Sequence, residues 1–180
     1  MEVDVPEKMV EWRRITGATA LVHAIGDLAC IVFYFLFRAG EYTVKFRALA
    51  TGQPTGNTQQ IDQFCARYVC LLKQYKLGTL HQLPPNAPSD NFLSVVSSTL
   101  CFSNQTNGRK NFCIHQEANR GVYFCATQAL AQRLVYIHEH LSNRDTLLSA
   151  YCAESDLCTI NNDTICGANN PVVGALKYPD

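Results

Sequence analysis

The stretch from Leu28 to Val44, LACIVFYFLFRAGEYTV, decides how the rest of the chain is read. A dense apolar run stops at Arg38, and Glu41 follows three residues later. A guanidinium at the end of a buried helix costs several kcal/mol without a partner, so Arg38 is either paired with a carboxylate such as Glu41 or Asp27, or held for a phosphate. Residues alone leave both open.

Working back towards the N-terminus, the spacing predicts a helix over Ala18–Arg38. Leu21, Ile25, Leu28, Val32 and Phe35 form one apolar stripe, and Val22, Ala29, Phe33 and Leu36 form another. The narrow remainder carries His23, Asp27, Tyr34 and Arg38. This pattern predicts the central helix of a core. Ile15–Phe37 approaches membrane-spanning length, but Asp27 near its middle favours a buried core helix over a span. Val5, Met9 and Trp12 predict a short amphipathic helix, and the charged first residues read as no signal peptide.

Towards the C-terminus the periodicity changes. Tyr42–Phe46 alternates like a strand, TGQPTGNTQQ reads as a linker, and Ile61–Gln74 fits either a helix or a strand, with the strand favoured. LPPNAPSDN, residues 83–91, is expected to be an exposed loop because its three prolines cannot donate to a ladder. Leu93–Phe102 and Asn111–His115 flank SNQTNGRK, where Asn107-Gly108 signals a hairpin turn. Leu130, Leu134, Ile137 and Leu141 predict a helix over Ala126–Leu141. Asp145–Tyr151 reads as a short buried strand or edge segment, and Asn162–Ala168 as a short helix. The fold class is therefore α+β, a mostly helical single domain over residues 1–180 with a small antiparallel sheet.

With 15 basic and 15 acidic residues the chain has no global field to attract nucleic acid or an anionic membrane, so any DNA contact must be local. The nine cysteines are odd in number and include no C-x-x-C pair. Several alternate with apolar residues, which predicts reduced, buried thiols. His138 and His140 point about 200° apart on a helix and do not make a metal pair. Nothing in the chain predicts a metal or other cofactor. Cys113 and His115 lie close in sequence, but nothing identifies an oxyanion hole beside them. Asn104 and Asn162 begin glycosylation sequons that matter only in a secreted chain.

Arg38-x-x-Glu41 at the end of an apolar helix, a hairpin with Lys110 beside its turn, and the helix FCATQALAQRL followed by TLLSAY together resemble the catalytic domain of tyrosine recombinases. The wording is most similar to the divergent kind carried by Crypton-like mobile elements of protists and fungi, over roughly residues 31–178. That family breaks and rejoins DNA through a covalent phosphotyrosine. By the likeness, Arg38 is the first arginine of the phosphate clamp, Glu41 orients it, and Lys110 is the general acid that protonates the leaving 5′ oxygen. Arg109 and Lys110 would touch DNA at the hairpin tip.

The chain departs from the family in three places. Thr106 stands where relatives often carry a lysine before the Asn-Gly turn. No H-x-x-R box occurs, and Tyr151 and Tyr178 lie upstream of where the nucleophile belongs. The resemblance thus implies a fragment of a DNA integration enzyme, cut short before the second arginine and the nucleophile. It would be inactive alone, bind DNA weakly at most, and reside inside the cell, the nucleus included. The alternative is a secreted or membrane-anchored cysteine-rich binding protein.

Overall fold

The computed structural model describes residues 19–35, 64–75, 78–84, 87–92, 94–102, 112–119, 125–141, 143–154 and 156–160. The first helix, α1 (Ala20–Phe35), begins where the Thr19 hydroxyl accepts the Val22 N–H at 3.4 Å, one of the donors that a helix start leaves unpaired. Its buried side runs through Ala24, Asp27, Leu28, Ile31 and Phe35, while Phe33 faces outwards. Within the polar line of this helix Asp27 is 4% exposed, and its charge bears on Arg133, described below.

The segment expected as one strand over Ile61–Gln74 divides in two among its described residues. Ala66–Tyr68 makes a 3-10 turn, and β1 (Val69–Gln74) follows. β2 (Leu80–Gln82) returns along one edge of β1, after Gly78 takes a positive φ of 77° that a side chain would strain. The proline-rich loop is less exposed than its composition suggests. Leu83, Ala87 and Phe92 are buried, and Ser89–Phe92 forms a single helical turn, α2. The carbonyls of Pro84 and Pro88 accept turn bonds from Ala87 and Asn91, so the prolines lose no ladder while the apolar residues anchor the loop.

The hairpin reading holds. β3 (Val95–Phe102) and β4 (Phe112–Glu117) pair antiparallel from Ser97 opposite Glu117 to Phe102 opposite Phe112. With β1 against the other side of β3, the sheet order is β2-β1-β3-β4, antiparallel throughout. Side chains alternate between faces: Ser98 and Leu100 point inwards, whereas Cys113, His115 and Glu117 are exposed on the outer face.

α3 (Ala126–His140) lies on the inner face and meets β1, β3 and β4. On its other side it packs along α1, which also meets β5. Ser98 and Thr127 exchange a buried hydroxyl hydrogen bond at 2.9 Å where α3 sits on β3. Residues 145–149 are turns, apart from the isolated bridge of Leu147 to Cys65, rather than a strand. Leu148 is 1% exposed and donates its N–H to Phe64 O at 2.8 Å, and the ribbon β5 (Ala150–Ala153) with β6 (Asp156–Thr159) begins only beyond it. The architecture is α+β with small antiparallel sheets, as the periodicities require.

The cysteines depart from the expectation of reduced, buried thiols. Cys30 and Cys65 are buried, but Cys101 and Cys113 form a disulfide across β3 and β4. Sequence spacing gave no sign of it, because the pair is made by strand register. The expected elements over 5–12, 42–46, 51–60 and 162–168 lie outside the described residues.

Candidate functional site

The four residues singled out for phosphate and DNA, Arg38, Glu41, Arg109 and Lys110, lie outside the described residues. The elements that lead to them are described. α1 ends at Phe35, three residues before Arg38, and β3 and β4 bracket the connection that carries Arg109 and Lys110. These two supports are tied together, since Gln116 of β4 donates its side-chain amide to the carbonyl of Tyr34 in the last turn of α1, at 3.3 Å.

Beneath the hairpin lies a guanidinium that periodicity had passed over. Arg133 is 1% exposed in the middle of α3. Its Nε donates to Leu148 O at 3.0 Å, a second guanidinium nitrogen donates to Ala150 O, and its charge sits over the Tyr136 ring, 5.0 Å from the centroid. Burial pushes its pKa down from the usual arginine value, and the nearby Asp27 carboxylate opposes that shift. The buried carboxylate of α1, offered by sequence to Arg38, thus bears on Arg133. A signal existed: Arg133 follows Leu130 by three and precedes Ile137 by four, which places it within the apolar stripe. The donors go to the Leu148 carbonyl in the turn before β5 and to the carbonyl of Ala150, the first residue of β5, so Arg133 clamps the start of that strand to α3.

The second arginine pair is at the surface. Arg67 meets Asp145 at 2.5 Å and the Tyr68 hydroxyl at 3.0 Å. The hydrogen bond it donates to the Tyr68 hydroxyl, and then the one it donates to Asp145, raise its pKa above the ordinary arginine value. The Arg67 N–H also donates to Arg144 O, so the ion pair closes a turn that the backbone already holds.

Between α3, β1 and α2 lies a cavity of about 240 Å³. Val69, Leu71, Leu83, Phe92, Leu134 and Ile137 make its apolar wall. His138, Asn143 and Arg144 supply its polar side. Among the described residues no group of three His, Cys, Asp or Glu side chains is placed to hold a metal ion. No described helix is long and apolar enough to cross a membrane.

Tyr151 sits in β5 opposite Cys158, and burial, followed by the charge of Cys158, raises its pKa. A phenol held in that direction is a poorer nucleophile at neutral pH. Tyr178 lies outside the described residues. No protein-family model, curated protein or solved structure matches the chain.

Proposed function

We propose that the chain is part of a tyrosine-recombinase catalytic domain, descended from a DNA integration enzyme of a mobile element and unable to break DNA alone. The observation that carries the reading is the β3–β4 hairpin. Its strands bracket the segment with Arg109 and Lys110, it is bonded to the last turn of α1 ahead of Arg38, and the cysteine-led helix α3 packs beneath it. A lysine on the β3–β4 connection and an arginine three residues past Phe35 suit a scissile phosphate. The arginine would neutralise its non-bridging oxygens with a planar fork, and the lysine would protonate the leaving oxygen. In this reading Glu41 orients Arg38, and Arg109 contacts the DNA backbone.

Chemistry stops there, since the chain has neither H-x-x-R nor a tyrosine beyond it. Without a nucleophile no phosphotyrosine forms, and electrostatic positioning alone leaves the phosphodiester intact. Incubation with nicked suicide DNA substrates should yield no covalent adduct on a denaturing gel. An adduct on Tyr151 or Tyr178 would overturn the inactivity. Residual binding, read by fluorescence anisotropy at low salt, should weaken as salt rises and fall further when Arg109 and Lys110 are both changed to Ala. Binding that ignores both changes would remove the hairpin from the DNA interface.

One observation favours a second reading, a secreted or anchored cysteine-rich binding protein: the Cys101–Cys113 disulfide, a bond typical of oxidising compartments. Peptide mapping of unreduced protein separates the two. Further bonded pairs among the other seven of the nine cysteines support the secreted reading, and seven free thiols support the recombinase fragment.

A further inference from the structure

We propose that Cys101 and Cys113 form a thiol–disulfide exchange site on the outer face of the sheet, opened and closed in the folded protein by small-molecule thiols or dithiols. Three observations carry it. The two residues face each other directly in the β3–β4 register. Their Cα atoms are 4.2 Å apart, close to the roughly 4.5 Å of the non-hydrogen-bonded antiparallel pair whose side chains approach most nearly. Cys113 is exposed and Cys101 half-buried, so an attacking thiolate reaches the bond without unfolding the sheet.

The surroundings set this pair apart from the other described cysteines. Cys30 and Cys65 are buried, out of reach of a thiol in solution. Cys70, on the same outer face opposite Thr99, is free and has its sulfur engaged by the Gln82 amide at 3.5 Å. Cys125 accepts the Asn119 N–H at 3.2 Å. The next pair on the same face is Thr99–His115, joined by a hydrogen bond of 3.0 Å, so the bond has a polar neighbour on that side.

The exchange balances as two displacements. A thiolate of the dithiol attacks the sulfur of Cys113, forming a mixed disulfide and releasing Cys101 as a thiolate that takes a proton from water. The second thiol of the reductant then displaces Cys113. The protein gains two electrons and two protons, and the dithiol becomes a cyclic disulfide. Oxidised glutathione runs the reverse reaction through a mixed disulfide on Cys113. The ladder of β3 and β4 persists in both states, and only the covalent tie at the base of the connection over residues 103–111 is made or lost.

Trypsin cuts after Arg109 and Lys110, between the two cysteines, so the bonded pair is read as two linked peptides. Full-length protein is treated with oxidised glutathione, then with dithiothreitol under native conditions, alkylated and mapped by mass spectrometry, with circular dichroism recorded in each state. The expected result is a Cys101–Cys113 link after oxidation, its loss with alkylation of both residues after native reduction, unlabelled Cys30 and Cys65, and an unchanged dichroism spectrum. With Cys101→Ser, oxidised glutathione should leave one glutathionyl group on Cys113. The proposal is overturned if both residues stay as thiols after oxidation or if either pairs with Cys70 or a second copy. It is equally overturned if the link opens only after denaturation, since the bond would then be a structural tie.

Discussion

On the inner face of the four-stranded sheet, Leu71, Ser98 and Leu100 are each no more than 2% exposed beneath α3, whereas the outer face presents Cys113, His115 and Glu117 to solvent. Both faces belong to the same strands and share the same ladder of backbone bonds. They differ in what covers them. Around α3 even polar groups are tied down: Ser98 to Thr127, Thr127 to Gln116 O, and Arg133 to the carbonyls of Leu148 and Ala150. On the outer face Thr99 and His115 pair across the strands with His115 open to water, and Ser97, at the far end of that face, is buried. Chemistry that needs solvent therefore belongs outside, and charge that fixes the fold lies within.

Replacing Arg133 by Met is the strongest way to break that contrast. It removes the guanidinium charge on which the buried Asp27 carboxylate bears and strips two carbonyls of their donor. Urea unfolding should show a loss of about 3–5 kcal/mol. A loss below that of a surface substitution would mean that the guanidinium is not the clamp. Leu100→Ala opens space in the same layer and should cost about 2–5 kcal/mol by the same measurement, with the m-value unchanged.

Outside the core the effects should shrink. Asp145→Asn removes an ion pair whose side chains are 47% and 64% exposed, and exposed pairs contribute about 0–1 kcal/mol. A larger loss would show that Arg67 and Asp145 hold the turn on their own. Thr99→Val cuts the hydroxyl contact with His115 on the open face and should shift the urea midpoint within about 0.5 kcal/mol. If Thr99→Val matched Leu100→Ala in cost, the two faces would not differ as described.

Much of the scaffold was legible because it rests on local period and turn chemistry. The apolar spacing of residues 20–35 and 126–140 marks helices whichever way they pack, and the alternation around Asn107-Gly108 marks a hairpin before its partner strand is known. Short elements were less legible. β2 and β6, of three and four residues, are too short to display a period, and residues 145–149, turns apart from the isolated bridge of Leu147 to Cys65, read as a strand because apolar content alone does not separate the two. Of the candidate site, the residue types came from resemblance, and the described structure reaches their supports, α1 and the hairpin strands, rather than Arg38, Glu41, Arg109 and Lys110 themselves.

By itself the sequence determined the α+β class, the two long helices, the hairpin, and the missing H-x-x-R box, because composition, period and motif spacing are properties of the chain as written. Tertiary structure decided which charges and thiols meet. Asp27 bears on Arg133 from over a hundred residues away, and Cys101 bonds Cys113 because the β3–β4 register sets them on one rung. Such pairings depend on helix rotation and strand register. Shifting either by a single residue turns a side chain to another face, and packing of the whole core selects among the alternatives.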